Sequence, residues 1–467
     1  MTWTGAALPE RSAIIGITIA TSSFVGLLAI LSTINGNVPA IWLAVTLVAA
    51  GLCWLGLGYF IGRHTLSSRM IRLLIVIGLA ARIALLPSAP LYEDDYVRYL
   101  WDGGVTAAGL NPYERSPASV LNELHPLFPT QSVAPRPLSP NAALGRQSGN
   151  VLERVSYPSV TTIYPPIAQL GFAAAHTVSP WSLLAWKAIG VIAELLTLAL
   201  LFGGLRAAGR APAWAMLYWL CPLVIKDFAN GAHMDVLLMP ALAGMIWAML
   251  AGRLRTAALL IGVATALKLW PLLLVPGLIA RATHWRDRVL LAALSAACAA
   301  VLLAPQILAL DPASSGLSAY AETWVRNSLA FPALQALVTA LAIGGDAALL
   351  TRALVAATVI GLALYWAHRS INAPPVATIA LWRNTALALL MLSPTGYSWY
   401  ATWLVPFIVF APERSAMLLV SFVGAYYLRF ADQDGWGAAI APWIGFTPAW
   451  AAITYAASRQ RTENARG

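Results

Sequence analysis

The feature that most constrains this chain is a succession of uncharged apolar blocks of about 18 to 25 residues, the length at which a helix crosses a hydrocarbon core of about 30 Å. A helix satisfies its own backbone inside lipid, where no water is present to do so. Hydrophobic residues make up 59% of the sequence and charged residues 10%, whereas a soluble domain carries roughly 25% charged residues. The expectation is an all-α polytopic membrane protein, one integral membrane domain over 1–467, with about 13 or 14 transmembrane helices.

The net charge of +10 does not point to nucleic acid, because the basic residues are scattered through short loops and form no continuous face. They fit the positive-inside rule, by which Lys and Arg collect on cytoplasmic loops. The first two spans, near 11–34 and 39–62, meet at Asn35-Gly36-Asn37 and are followed by Arg63, His64, Arg69 and Arg72. That places this loop in the cytoplasm and the exit of the third span, 70–88, on the far side. The stretch 89–163 then holds nine of the 30 prolines and seven of the 19 acidic residues.

The apolar segment 163–179, bracketed by Pro165, Pro166 and Pro180, is short for a span and is placed at the outer interface. Together 89–179 forms a first outer region carrying interfacial helices, and 311–330 a second outer loop. Spans are expected at 181–203, 212–230, 234–251, 288–309, 347–367, 376–393, 399–411, 415–430 and 437–457, with both termini cytoplasmic. Residues 256–281 are apolar with basic residues at both ends. Lys268 and Pro271 at their centre predict two short helices that turn back, an arrangement tolerated around a protein-lined cavity. Cys53, Cys221 and Cys298 lie in apolar blocks without ligand spacing and predict neither disulfide nor zinc.

Chemistry concentrates in Tyr92-Glu93-Asp94-Asp95-Tyr96-Val97-Arg98-Tyr99, where the chain leaves the membrane. Adjacent carboxylates raise one another's pKa unless compensated. Asp94 or Asp95 suits a general base, and Glu93, Asp94 and Asp95 suit a divalent cation such as Mg or Mn. The competing reading is a solvated loop that caps a helix, with the aromatics as an interfacial belt.

This segment, with Gly109-Leu110-Asn111-Pro112-Tyr113, Ile163-Tyr164-Pro165-Pro166, Gly231-Ala232-His233-Met234-Asp235, Lys268-Leu269-Trp270-Pro271 and Ser393-Pro394 through Trp399-Tyr400, resembles the bacterial GT-C superfamily of polyprenyl-phosphate-sugar-dependent transferases, in particular its DUF2029 and mannosyltransferase-like groups. The resemblance runs in order over most of the chain. It implies a GT-C-like bundle in the bacterial cytoplasmic (inner) membrane with its active site facing the periplasm or exterior. It also implies transfer of a hexose, mannose first, from a polyprenyl-phosphate donor to a glycolipid, glycan or protein hydroxyl. The family's acidic residue maps to Asp94 or Asp95.

Only three lysines occur, Lys187, Lys226 and Lys268, all in apolar stretches where an ionisable group tends to face a cavity or a partner. Snorkelling toward the interface accounts for Lys187, and pairing with Asp227 competes for Lys226. Lys268, with no acid nearby in sequence, is the first candidate for the donor phosphate. His233, Asp235, Arg98, Tyr164 and Arg326 are further candidates for donor or acceptor contacts, and Tyr397, Trp399 and Tyr400 for stacking on a sugar or lining a lipid groove. Glu194, Arg352 and Arg383 are expected to pair inside the bundle. The rival reading is a polytopic lipid or solute transporter, in which broken helices and intramembrane charges also occur.

Overall fold

A computed structural model describes residues 10–33, 39–125, 137–309, 324–341, 346–432 and 434–464. The turn Asn35-Gly36-Asn37, most of the second outer loop (residues 310–323) and the end of the tail lie outside these. Among the described residues the chain is helical with no strand, and an isolated backbone bridge pairs Arg326 with Thr395.

Six helices are each long and apolar enough to cross a bilayer: Ile15–Thr33, Ala40–Ile61, Leu183–Ala207, Trp285–Leu308, Ala347–Arg369 and Pro375–Leu392. That is fewer than the 13 or 14 expected: of the other stretches, 70–88 and 437–457 lie in the single helices Ser68–Leu85 and Trp436–Asn464, and the rest are built from shorter pieces. Residues 212–230 are not one span. The chain breaks at Cys221-Pro222, where Pro has no N–H to give the preceding turn, and Pro222–Asn230 then meets Met234–Leu250 at 112°. The expected hairpin at 256–281 is present as Leu254–Leu267 and Trp270–Ile279, and its two basic ends, at Arg253 to Thr256 and Arg281 to Thr283, line one cavity.

Of the groups expected to pair inside the bundle, Glu194 meets a charge, and Arg352 and Arg383 meet backbone carbonyls. Arg82 meets Glu194 at 2.5 Å, donates to the carbonyls of Gly78 and Trp219 at 2.9 Å, and lies 3.7 Å from the centre of the Trp219 ring system. Arg383 donates to the Ala411 carbonyl and Arg352 to that of Trp324. Lys187 does not snorkel. It is 2% exposed and donates to the carbonyls of Leu85 and Ser88 at 3.1 and 2.6 Å. The Leu85 carbonyl also accepts from the Ser88 amide and hydroxyl, so the ammonium adds to the bonds that close the end of the helix Ser68–Leu85 inside the bundle.

The region 89–179 has its own small core. Val97, Trp101 and Val105 recur at four-residue spacing on one face of Asp95–Ala107 and pack with Val120, Ala142 and Leu152. Pro117–Leu124 and Pro140–Gln147 start with Pro, and the hydroxyls of Ser116 and Ser139 accept from the amides of Ser119 and Ala142, a favoured start for a helix. Beneath them lies Pro166–Val178, whose 13 residues reach about 20 Å, too short to span. Tyr99 stacks on Phe172 with centroids 4.6 Å apart. Gly103 makes this crossing possible, since a Cβ there would stand 2.5 Å from the Phe172 carbonyl oxygen.

Because the opposing atom is backbone, Gly103→Ala is expected to destabilise the protein by about 1–3 kcal/mol, the usual cost of overpacking. Thermal unfolding in detergent checks this, and an unchanged melting temperature would show that the two helices can separate freely.

Candidate active site

The acidic segment is held from below by Asn230. Its carboxamide oxygen accepts from the Leu91 amide at 3.1 Å, and its nitrogen donates to Ser32, Ser88 and the Ala89 carbonyl. Tyr92 then adopts φ of 56°, a left-handed turn that non-glycine residues seldom take. Glu93 thereby points into the protein, Asp94 outward, and Asp95 opens the next helix.

Glu93 is the centre of a buried network. Lys226 Nζ lies 2.9 Å from Glu93 Oε1 and 3.5 Å from Asp227 Oδ1, with both lysine and aspartate side chains fully buried. The Tyr427 hydroxyl bonds to Glu93 and accepts from Lys226, and it lies 3.1 Å from Asp227 Oδ1 and 3.2 Å from Ser398 Oγ. On the other side His233 Nε2 is 3.1 Å from Glu93 Oε2, while His233 Nδ1 is 3.8 Å from Asp95 Oδ2. Burial pushes the Glu93 carboxyl up, but Lys226, His233 and Tyr427 outweigh it and hold it down to about 2.

Asp95 is less fully compensated. Burial, the largest influence, raises its pKa, and the charges of Glu93 and Asp94 add to this against the lowering by His233 and Lys268. It stands at about 6. Its side chain is still 38% accessible, so it is ringed by protein without being sealed from water. Asp94 is exposed and bonds to Ser156 Oγ.

A cavity of about 600 Å³ opens above these groups. It brings together most of the residues singled out from sequence: Glu93, Asp94, Asp95, Arg98, Tyr164, Asp235, Lys268, Arg326, Tyr397, Trp399 and Tyr400. Lys226 and His233 do not line it. They lie behind Glu93, with His233 stacked at 4.0 Å on Trp399. Arg98 borders the cavity, but its guanidinium donates to the carbonyls of Ser156 and Tyr157, at 3.2 and 2.9 Å, and so holds the 156–160 loop.

Lys268 has an acidic partner after all: Asp235 Oδ2 at 3.4 Å, from the start of Met234–Leu250. Asp235 Oδ1 also accepts from Trp403 Nε1 at 2.8 Å. The ammonium faces Tyr400 and Trp403 and remains 24% exposed. Tyr397 and Trp399 are buried and stacked at 4.4 Å, which makes them a cavity wall and not an interfacial belt. Arg326 is exposed at the rim, with its backbone fixed by Arg326 N to Pro394 O and Gly396 N to Arg326 O, both 2.9 Å.

Several residues here escaped the sequence reading. Arg429 lines the cavity above Tyr426 and Phe430, but Tyr426-Tyr427-Leu428-Arg429 at the end of an apolar block looks like an interfacial anchor. Asn230 carries no charge, so nothing in the sequence set it apart.

Glu93, Asp227 and His233 offer three ligand atoms within 4.8 Å of one another, which raises the question of a metal. The Lys226 ammonium already stands against both carboxylates, and a divalent ion would have to share that space with a positive charge. The donor set therefore fits the internal ammonium better than a metal.

Lys226→Met should lower stability by about 3–5 kcal/mol, since it leaves buried carboxylates without their cation. Adding Glu93→Gln should recover part of that loss. Unfolding of the single and double variants in detergent measures the coupling, and a Lys226→Met protein as stable as the parent would remove the ion pair from its structural role.

Comparison with known proteins gives one family. The model described as Glycosyltransferase family 87 matches residues 162–394, about half of the chain. That span includes Tyr164, Lys226, His233, Asp235, Lys268 and Arg326, and leaves the 93–95 acids and the 397–400 aromatics outside. No curated protein and no solved structure matches the chain. With a helical bundle built to cross a bilayer and a cavity that joins carboxylates to cations, the match identifies the chain as a membrane glycosyltransferase of the GT-C type.

Proposed function

We propose that the protein moves a hexose, mannose first, from a polyprenyl-phosphate donor to a hydroxyl acceptor, a glycolipid, glycan or protein. Asp95 acts as the general base on the non-cytoplasmic face. The observation that carries this reading is the placement of Asp95, accessible and held near neutrality, in one cavity with Lys268, Arg326 and Arg429. A base tuned toward the working pH is what proton abstraction requires, and the cations suit a phosphate leaving group.

In a single displacement the acceptor oxygen attacks the anomeric carbon and its proton passes to Asp95. The bond from that carbon to the phosphate oxygen breaks, and the polyprenyl phosphate leaves with the bonding pair. Configuration inverts and no covalent enzyme intermediate forms. Lys268 meets the developing phosphate charge, with Arg326 and Arg429 closing on its other oxygens. Tyr164, Tyr397, Trp399 and Tyr400 shape the sugar pocket. Glu93, Lys226 and His233 position Asp95, and no step is routed through a divalent cation. A transporter would have no need of a carboxylate poised as a base, and the family match supports transfer over transport.

The direct test is purified protein with synthetic polyprenyl-phosphate mannose, glucose or arabinose, with donor loss and product followed with and without chelator. Asp95→Asn is expected to keep donor binding and lose about 10² to 10⁴ in turnover, while Asp94→Asn stays within a few-fold. The base works only when deprotonated. Because its pKa is raised, the parent rate should fall as pH drops through about 6, and the limb should follow the charges facing Asp95, which are His233, Glu93, Asp94 and Lys268. Parent-like turnover in an Asp95→Asn variant that still binds donor would remove Asp95 as the base.

A further inference from the structure

We propose that the end of the bundle opposite the active-site cavity binds a phosphate-bearing anionic lipid headgroup. The helix Leu254–Leu267 connects the two places. Its C-terminal neighbour is Lys268, and its first turn, about 20 Å away along the axis, borders a second cavity of about 360 Å³. Arg253 and Arg255 reach this hollow from one turn and Arg281 from another, together with Thr256 and Thr283 and a single acid, Asp287.

Among the described residues none of the three arginines forms an ion pair, and neither does Asp287. Arg281 is anchored by donating to the Ala373 carbonyl. The positive-inside rule accounts for arginines on these loops. It does not account for two separate loops converging on one concavity with three arginines against a single acid. Three like charges around such a hollow repel, and an anion relieves that cost. Guanidinium groups bind phosphate oxygens in pairs, and the two threonine hydroxyls offer further donors.

The position favours a lipid over a dissolved anion. Asp287 lies in the first turn of Trp285–Leu308, a helix apolar enough to cross the bilayer. Trp285 and Val289, 69% and 58% exposed, flank it. Exposed tryptophan beside arginine at a helix end is the composition of a headgroup layer, and basic pockets between membrane helices take anionic headgroups. The site does not depend on the transfer reaction, so sugar transfer and lipid retention can fail separately.

The test is native mass spectrometry of the purified chain in neutral detergent, titrated with phosphatidylglycerol, phosphatidylcholine or inorganic phosphate. The parent is expected to retain phosphatidylglycerol over phosphatidylcholine. Arg253→Gln with Arg255→Gln should weaken that retention about 30-fold, the loss of two surface charges. Arg253→Lys with Arg255→Lys keeps the charge and the insertion signal and should weaken it less, so a loss caused by misfolding is told apart from a loss of charge. Equal retention of the two lipids by the parent, or unchanged phosphatidylglycerol binding in the Gln variant, overturns the site. Inorganic phosphate that displaces phosphatidylglycerol at equal concentration overturns the lipid assignment.

Discussion

The pairing of Lys226 with Glu93 is the interaction on which the rest of the site depends. It joins the loop after the third helix to the bent element Pro222–Asn230 and, through Tyr427 and Ser398, to the C-terminal part of the chain. Burying an ionised group without a partner costs several kcal/mol even after relaxation. Lys226, Glu93, Asp227 and His233 are therefore tolerable only as a set. Once the set forms, three distant stretches of sequence are fixed relative to one another, and the cavity above them has a defined floor.

That floor explains how neighbouring acids acquire different states. Glu93 turns inward to a lysine and a histidine and is held ionised. Asp95, two residues on, receives burial and the repulsion of its neighbours, and its pKa rises to about 6. Composition alone treats the three acids as equivalent. The left-handed turn at Tyr92 separates them, because it decides which carboxyl meets Lys226.

Much of the bundle was legible in the sequence because a span has a length and a charge rule. The long helices, the short Pro166–Val178 and the turn-back near Lys268 all followed from apolar length, proline and arginine placement. The break at Cys221-Pro222 did not, since an apolar run hides a proline whose neighbours in space supply the missing bonds. The acidic segment, Lys268, Arg326 and the 397–400 aromatics were recognisable as chemistry-bearing types in uncommon places, and they meet in one cavity. What could not be read was pairing at a distance. Lys268 has its acid 33 residues upstream, at Asp235, and Lys226, besides the adjacent Asp227 that the sequence offered, has a nearer acid 133 residues away, Glu93.

Strain marks the same place from an independent direction. Six non-glycine residues have positive φ among those described, and four of them, Tyr92, Tyr157, Ala232 and Asn327, surround the cavity or its floor. Such conformations cost on the order of 1–3 kcal/mol each and persist where neighbours over-determine them. The neighbours here are identifiable. Trp186 Nε1 donates to the Ala232 carbonyl at 2.7 Å, Arg98 to the Tyr157 carbonyl at 2.9 Å, and Asn327 Nδ2 to the Gly396 carbonyl at 2.6 Å, while Tyr92 stacks on Phe430 at 5.2 Å. Three of the four strained turns set the direction of an adjacent functional side chain: Tyr92 that of Glu93, Ala232 that of His233, and Asn327 that of Arg326. Arg98, read from sequence as a substrate ligand, thus acts on the site by holding Tyr157, and its buried position follows from that task.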